Sequence, residues 1–249
     1  MQAIPTFGAT PYWGTVNVTP KLPRPRSIPV LVEEILKPEQ SYVNLAYEFL
    51  YHRPIPPVKG SFVYRDVLTD LFDRGEGRGM AVRSQVEVFD EGGILLCTNR
   101  CTTLFPTLGG YGGRPMPRGD SPIPDRPADL VERDHIGAAQ NLLYRLTGDT
   151  NLVHVDRAVA VSRGLDGPFV HDLCAYGYAC RLAIAGLFPG QPERLRRMYA
   201  AMKTVLYPDT PVELHLWKLA PGRAAFRLCH GTTGKAILDR GELEWDEVV

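Results

Sequence analysis

The sequence has no long hydrophobic run and no excess of either charge. Its 249 residues contain 28 basic and 28 acidic side chains, which gives a formal net charge of zero. Because electrostatic binding of nucleic acid needs a basic surface, this charge balance predicts no nucleic-acid partner. No apolar segment reaches the roughly 18 to 20 residues of a membrane span, so we also expect no membrane association.

Targeting signals and cysteine motifs are also missing. The first residues, MQAIPTFGAT, lack the basic region and apolar core of a secretory signal, and the last residues carry no peroxisomal signal. We therefore expect a cytoplasmic protein. Five cysteines is an odd number, and their spacing fits no zinc motif, so we expect reduced, mostly buried thiols and no metal; they are Cys97, Cys101, Cys174, Cys180 and Cys229.

Proline is frequent, and its distribution divides the chain. The 22 prolines cluster in residues 19–29 and again in residues 114–127, where glycine and aspartate accompany them. The second cluster lies near the middle of the chain and has the composition of a linker. The sequence therefore predicts two halves, residues 1–118 and residues 119–249.

Each half shows a helical segment followed by strands. In the first half, Ser27 and Pro29 suit a helix start before VLVEEIL. Residues 43–51 then alternate with period two, and the turn DEGG at 90–93 joins two further alternating segments into a hairpin.

The second half centres on residues 172–187, DLCAYGYACRLAIAGL, which contain only two charged side chains. A segment this long and this apolar predicts a helix inside the protein. Three strand-like segments follow at 212–219, 223–230 and 235–245. An antiparallel sheet wrapped around a buried helix accounts for this order, which predicts an α+β fold.

The segment YRLTGDTNLVHVD, residues 144–156, gathers three groups that can handle a proton or a water. Asp149 and His154 are five residues apart, so they can cooperate only if the chain bends between them, and Gly148 and Asn151 supply turn chemistry. A carboxylate and an imidazole that converge on one water form an acid/base pair. The alternative interpretation is an Asp–Asn turn beside a structural histidine.

The longer stretch YRLTGDTNLVHVDRAVAVSRGLDGPFVHDLCAYGY resembles the signature of the R-specific enoyl-CoA hydratases, the MaoC-like group that includes the hydratase unit of peroxisomal multifunctional enzymes. Further similar segments are IPTFGAT, GGYGGRP, PDRPADL and YPDTPVELHLWK. The resemblance implies a double hot-dog fold with two antiparallel sheets, each wrapped around a central helix. It also implies that the first half accommodates the acyl chain and that the second half carries the hydratase motif.

The resemblance further implies the reaction and the residues that perform it. The reaction is reversible addition of water to a trans-2-enoyl thioester, giving a (3R)-3-hydroxyacyl thioester. Asp149 and His154 would form the acid/base pair, and Asn151 would help to hold the water. The backbone N–H of Asp172 would stabilise the enolate oxygen, with His171 beside the site. The substrate would be a CoA or carrier-protein thioester, without a metal or redox cofactor, and a homodimer is optional.

The sequence departs from the family pattern at several positions. Asp172 replaces the glycine of an HG pair, and we interpret it as a helix N-cap, with a changed active site as the alternative. We interpret His171 as a buried, hydrogen-bonded structural histidine. Leu152 replaces a proline, and Asp209 replaces a glycine after YP. In residues 201–204, where the family carries basic side chains, only Lys203 is basic.

These departures leave three hypotheses open. The first is a hydratase acting on an enoyl thioester. The second is a specialised biosynthetic dehydratase or isomerase acting on an unusual acyl or carrier-protein thioester. The third is a catalytically altered hot-dog protein that only binds acyl thioesters.

Overall fold

The structure is a computed structural model that describes residues 5, 9, 42–55, 61–117, 122–149 and 151–247. Four antiparallel strands form its first half: β1 (Val43–Tyr51), β2 (Val63–Asp73), β3 (Met80–Phe89) and β4 (Leu95–Phe105). The predicted strand at 43–51 and the hairpin at DEGG are confirmed. The helix predicted after Ser27 and the proposed boundary at residue 118 lie outside the described residues, so the division into two halves stays a prediction.

The described part of the second half contains five strands and three α-helices. They are β5 (Leu130–Ile136), α1 (Gln140–Arg145), α2 (Arg157–Ser162), α3 (Asp172–Leu187), β6 (Leu195–Met202), β7 (Thr210–Ala220), β8 (Arg223–His230) and β9 (Ala236–Trp245). Single 3-10 turns span Leu152–His154 and Pro192–Arg194. The predicted helix at 172–187 is confirmed at both ends, and the three predicted strands correspond to β7, β8 and β9.

All nine strands join in one sheet, in the order β2-β3-β4-β1-β6-β9-β8-β7-β5. The expectation of two separate sheets is therefore corrected, since β1 pairs antiparallel with β6 and joins the two sets of strands edge to edge. This pairing satisfies the backbone groups that two free strand edges would leave unpaired. It also places β1 of the first half directly beside β6 of the second.

Helix α3 lies in the core and is apolar on nearly all sides. Its buried residues are small over much of its length, which lets the sheet approach closely; they are Cys174, Ala175, Tyr176, Ala179, Cys180, Leu182, Ala183 and Ile184. The one large polar group among them is satisfied, because the Tyr176 hydroxyl donates to the carbonyl of Met198 at 2.5 Å. Strands β6 to β9 supply most of the apolar side chains around it. The start of α3 is thereby fixed in position.

A ladder of charged side chains crosses the junction of β1 and β6. Arg197 contacts Glu48 at 2.5 Å and Glu242 at 2.7 Å, and Glu48 also accepts from Arg100 at 2.9 Å. Burial alone would raise the pKa of Glu48, but the two guanidinium groups lower it overall. The ladder spans β4, β1, β6 and β9, so it ties the two sets of strands together.

The glycine-rich loop GGYGG is held by one carboxylate. Asp73, at the end of β2, accepts backbone N–H groups from Gly75, Gly110, Gly112 and Gly113 at 2.7 to 3.2 Å. These hydrogen bonds, those of Gly110 and Gly75 above all, lower the pKa of Asp73 to about 2. The loop packs against the chain so tightly that a Cβ on residue 109 would lie 2.7 Å from the carbonyl oxygen of Gly75.

Replacing Asp73 with alanine is expected to release this loop and lower the Tm. The four N–H groups would lose a charged acceptor, so hydrogen exchange of Gly110 to Gly113 should accelerate. Because folding lowers the Asp73 pKa from 3.8 to about 2, its contribution is complete above about pH 4 and disappears as the pH falls towards 2. The exposed Asp125→Ala is the control; equal Tm values for the two variants would contradict the assignment.

Two predictions from composition can be compared with the described residues. The five cysteines are not paired with one another, and four of them are buried while Cys101 is partly exposed, which confirms the prediction of mostly buried thiols. Within those same residues, no helix combines the length and apolar character needed to cross a membrane.

Candidate active site

The bend between Asp149 and His154 is built from their own side chains. The Asp149 Oδ1 atom accepts the backbone N–H of Asn151 at 2.9 Å, which closes a tight turn. The Asn151 Oδ1 atom then accepts the N–H of Val153 at 3.2 Å and so caps the 3-10 turn that ends at His154. These two contacts turn the chain back on itself, and the predicted bend is confirmed.

His154 is buried, and its hydrogen bonds define which ring nitrogen is free. Its Nδ1 atom lies 2.9 Å from the carbonyl oxygen of Phe169, and a carbonyl can only accept, so Nδ1 carries the hydrogen. In the neutral ring, Nε2 is then an acceptor. Burial lowers the pKa of His154 and so favours the neutral ring. The Phe169 contact and the charge of Asp149 oppose this shift in part. Asn141 fixes the backbone by donating to the His154 carbonyl at 2.7 Å.

His171 lies against the ring of His154. The two imidazoles stack with centroids 3.7 Å apart, and Tyr144 covers His171 at 4.7 Å. Within the described chain, both ring nitrogens of His171 are buried without a hydrogen-bond partner. The prediction of a buried residue is correct, but the prediction of a hydrogen-bonded one is wrong. Burial, with the nearby His154 and Arg145, lowers the pKa of His171 to about 3, so the ring is neutral.

Asp149 completes this cluster. Its Oδ2 atom is 3.7 Å from the Nε2 atom of His171, slightly too far for a direct hydrogen bond. One atom each of Asp149, His154 and His171 lies within 4.8 Å of the others. A water with two hydrogen-bond partners bridges atoms at most about 5 to 6 Å apart, so these atoms are close enough for one water to contact both the carboxylate and an imidazole. The structure thus brings the two predicted acid/base residues together.

The same three residues have ligand types that bind metals, but their arrangement does not suit one. The planes of the His154 and His171 rings differ by only 23°. A metal binds an imidazole in the ring plane at about 2.0 to 2.1 Å. Two rings stacked 3.7 Å apart cannot both direct an in-plane lone pair at a single ion. The cluster therefore fits a water better than a metal.

Asp172 does not cap α3, and the N-cap prediction is wrong. The cap is His171, whose backbone is extended (φ −60°, ψ 141°) and whose carbonyl accepts from Cys174 and Ala175. Asp172 is the first helical residue, and its Oδ2 atom accepts instead from Asn44 Nδ2 at 3.2 Å. Burial raises the pKa of Asp172 to about 6; the Asn44 hydrogen bond opposes this rise and the charge of Asp149 adds to it.

The start of α3 presents backbone donors beside the cluster. In an α-helix, the first N–H groups have no intrahelical acceptor, and here they belong to Asp172 and Leu173. The dipole of a 16-residue helix adds partial positive charge at this end. The arrangement therefore favours negative charge on an oxygen that lies near the start of α3.

Several residues of the site were not identified from the sequence. Asn44 belongs to β1, and its contact with Asp172 spans 128 positions in the chain. Asn141 precedes the motif, and Tyr144 opens the stretch quoted above, but neither carried a signal of its own. A period-two pattern predicts the strand that holds Asn44, yet pairing between strands and a helix so far apart is decided only by the complete fold.

Two other departures have local explanations. Asp209 has φ 58°, a left-handed conformation that glycine adopts freely and aspartate tolerates better than most residues. Its Oδ1 atom lies 2.9 Å from the Nε2 atom of His135. Leu152 is half exposed and begins the 3-10 turn, a position where the turn forms without the fixed φ of proline.

Comparison with known proteins decides the family. A family model described as "MaoC like domain" matches residues 120–239. A 3-hydroxyacyl-thioester dehydratase Y of Mycobacterium tuberculosis is 31% identical over 201 residues, which cover 78% of this chain and 69% of that protein. The chain belongs to the MaoC-like family. This confirms the resemblance noted in the sequence.

Other MaoC-like relatives agree. The enoyl-CoA hydratase ChsH3 of the same organism is 29% identical over 87% of the chain and 72% of its own length. Across eight curated relatives, the chain spans between 20% and 72% of the relative's length.

Solved structures confirm the fold. A MaoC-like dehydratase from Phytophthora capsici superposes with a TM-score of 0.83 at 21% identity, covering 100% of this chain and 84% of that one. A Mycobacterium tuberculosis protein described as a double hot-dog fold superposes with a TM-score of 0.54 at 16% identity, covering 82% and 74%. The predicted α+β double hot-dog architecture is therefore correct.

Proposed function

We propose that this MaoC-like protein is a hydro-lyase that hydrates trans-2-enoyl thioesters reversibly to (3R)-3-hydroxyacyl thioesters. The observation that carries the proposal is the convergence of Asp149 and His154, close enough for one water to contact both, beside the N–H groups at the start of α3. Relatives named enoyl-CoA hydratase and 3-hydroxyacyl-thioester dehydratase support the same reaction and the same class of lyase.

The proposed chemistry uses both acceptors of the cluster. The water donates one hydrogen to the Asp149 carboxylate and the other to His154 Nε2, which aims an oxygen lone pair at C3 of the substrate. As the C3–O bond forms, the pair takes one proton from the water, and C2 receives one proton from the pair. The sum is addition of one water, and such positioned proton transfer contributes about 10² to 10⁴-fold.

Charge builds on the thioester oxygen during this step. We propose that the backbone N–H of Asp172 donates to that oxygen, as a preorganised donor at a helix start should. Asn151 would contribute its amide Nδ2 to the water, because its Oδ1 already holds the turn. His171 would support the ring of His154 by stacking.

Other features remain part of the proposal. The acyl group would be carried as a thioester of CoA or of a carrier protein. The reaction as proposed uses no metal or redox cofactor. Location in the cytoplasm and association into a homodimer stay predictions.

The direct test is hydration of a panel of trans-2-enoyl-CoA thioesters of increasing chain length. Loss of the conjugated-enoyl absorbance reports the reaction, and the chirality of the product reports the face of attack. We expect turnover on at least one chain length, with the 3R product. An absence of hydration across the panel, together with no dehydration of the 3R alcohols, would reject the proposal.

A second candidate function is supported by one observation, that the first residue of α3 carries a carboxylate, that of Asp172. Negative charge there could offset part of the enolate stabilisation. In that case the protein would bind acyl thioesters without hydrating them, or shift their double bond. Tight binding of a saturated acyl-CoA without turnover of any enoyl-CoA would favour this candidate.

A further inference from the structure

Asp172 belongs to a polar cluster that reaches from α3 into the first half of the chain. Its Oδ2 atom accepts from Asn44 Nδ2 at 3.2 Å, and Asn44 lies on β1. The Asn44 Oδ1 atom accepts in turn from Thr103 Oγ1 at 3.3 Å and from Cys101 Sγ at 3.5 Å, both on β4. We name Asp172, Asn44, Cys101 and Thr103 the inter-half polar cluster.

The orientation of Asn44 in this cluster is fixed by its partners. A carboxylate only accepts, so the amide nitrogen must face Asp172 and the amide oxygen must face β4. Asn44 is the register partner of Thr103, which places the two donors to its oxygen on the adjacent strand. The cluster therefore holds the Asp172 carboxylate in one position.

The carboxylate keeps one accepting atom for another molecule. Among the described residues, no hydrogen bond reaches the Oδ1 atom of Asp172, and the residue keeps some exposed surface. Asp172 is adjacent to His171, and the charge of Asp149 acts on it. The acceptor thus lies next to the catalytic cluster, on the side formed by the first half.

We infer that Asp172, positioned by Asn44, is a specificity-determining residue that selects thioesters whose acyl group carries a hydroxyl or amino donor near the reacting carbons. This inference rests on the proposed function. A plain alkyl chain would strip water from the carboxylate and return no hydrogen bond. A donor-bearing chain would replace that water, and hydrogen bonds to a charged partner are stronger than neutral ones.

The inference assigns Asn44 a positioning role. Asn44 is the link between the carboxylate and β4, so its removal should loosen Asp172 without removing the charge. The first half is predicted to accommodate the acyl chain. The inter-half polar cluster would then present polar groups to that chain, whereas a simple fatty acyl chain would be bound better by apolar side chains. The hydrogen-bond donor on the acyl chain can be varied while the CoA group stays the same, so its effect can be tested separately.

The experiment compares matched substrates on matched variants. The kcat/KM values would be measured for a straight-chain trans-2-enoyl-CoA and for the same chain with a hydroxyl on the fourth or fifth carbon. The natural chain is expected to favour a hydroxylated substrate by about 10-fold or more. In Asp172→Ala the ratio should fall to about one. Asn44→Ala should lower the ratio less.

Two results would overturn the inference. The first is an equal rate of the natural chain on plain and hydroxylated substrates. The second is a parallel fall of both rates in Asp172→Ala, which would indicate a structural tie. Asp172→Asn, which retains size and can still bond Asn44, keeps the comparison valid if the alanine variant fails to fold.

A failure of the proposed function would be separable from a failure of this inference. If the protein hydrates no enoyl-CoA, calorimetric titration with saturated acyl-CoA and its hydroxylated counterpart measures the same discrimination by binding. A preference for the hydroxylated ligand that disappears in Asp172→Ala would support the inference alone. Equal affinities in the natural chain would reject it.

Discussion

Replacing His154 with asparagine is expected to lower kcat/KM for enoyl thioester hydration by about 10² to 10⁴-fold. The asparagine amide nitrogen can occupy the place of Nδ1 and keep the hydrogen bond to Phe169, while the acceptor Nε2 is lost. The fold should therefore survive, and circular dichroism with a thermal melt would verify it. A rate within a few-fold of the natural chain would remove His154 from the mechanism.

The pH profile gives this prediction a second measurement. Burial lowers the pKa of His154 from 6.5, so the neutral ring persists below that pH. The acidic limb of kcat/KM should then begin below pH 6.5, where the ring gains a proton and loses its acceptor. In His154→Asn, the decline of kcat/KM at acidic pH that is caused by protonation of the imidazole should be absent from the residual activity. The exposed His135→Asn serves as the control and should retain both rate and limb.

Asp149→Asn is expected to reduce turnover by a similar factor. The asparagine can still accept the N–H of Asn151 and preserve the turn, but it replaces a charged acceptor with a neutral amide. The water would lose the group that holds one of its hydrogens and takes part in the proton transfer. Steady-state kinetics should show the loss mainly in kcat.

The matched control for Asp149 is Asp156→Asn. Asp156 lies in the same segment and caps α2 by accepting from Ala158 and Val159, a role that asparagine can fill. Its substitution should change the rate little. If the two variants lost activity equally, the loss would reflect disturbance of the segment and not chemistry at Asp149.

Double substitution would establish whether the two residues act as one unit. Groups that manage the same water are not additive, so the double variant should be little slower than the slower single variant. Additive losses would indicate two independent roles.

The candidate site was predictable where its signals are local. Asp149, Asn151 and His154 are within six positions of one another, and local turn chemistry indicated that the chain can bend between Asp149 and His154. Residue 172 was also identified as the start of the central helix, because a long apolar segment begins there. The cap was assigned one residue too late, since both His171 and Asp172 suit a position before a helix and only the backbone angles distinguish them.

Three strands were missed for a related reason. β2 lies at the edge of the sheet, and its solvent-facing apolar side chains, among them Val63, Val67 and Leu71, obscure the alternation. β5 is short and largely polar, and the second and third residues of β6 are arginines that pair with acidic groups elsewhere. When a strand is buried by elements that are distant in the sequence, its own residues need not show a periodic hydrophobic pattern.

The sequence by itself determined the α+β class, the buried helix, the bend that joins a carboxylate to an imidazole, and a resemblance that the comparisons confirmed. Each of these depends on residues that are neighbours in the chain. The tertiary structure alone decided that the strands form one sheet, that His171 stacks on His154, and that Asp172 turns towards Asn44. Those contacts join residues far apart in the sequence, so their energies depend on how the whole chain packs.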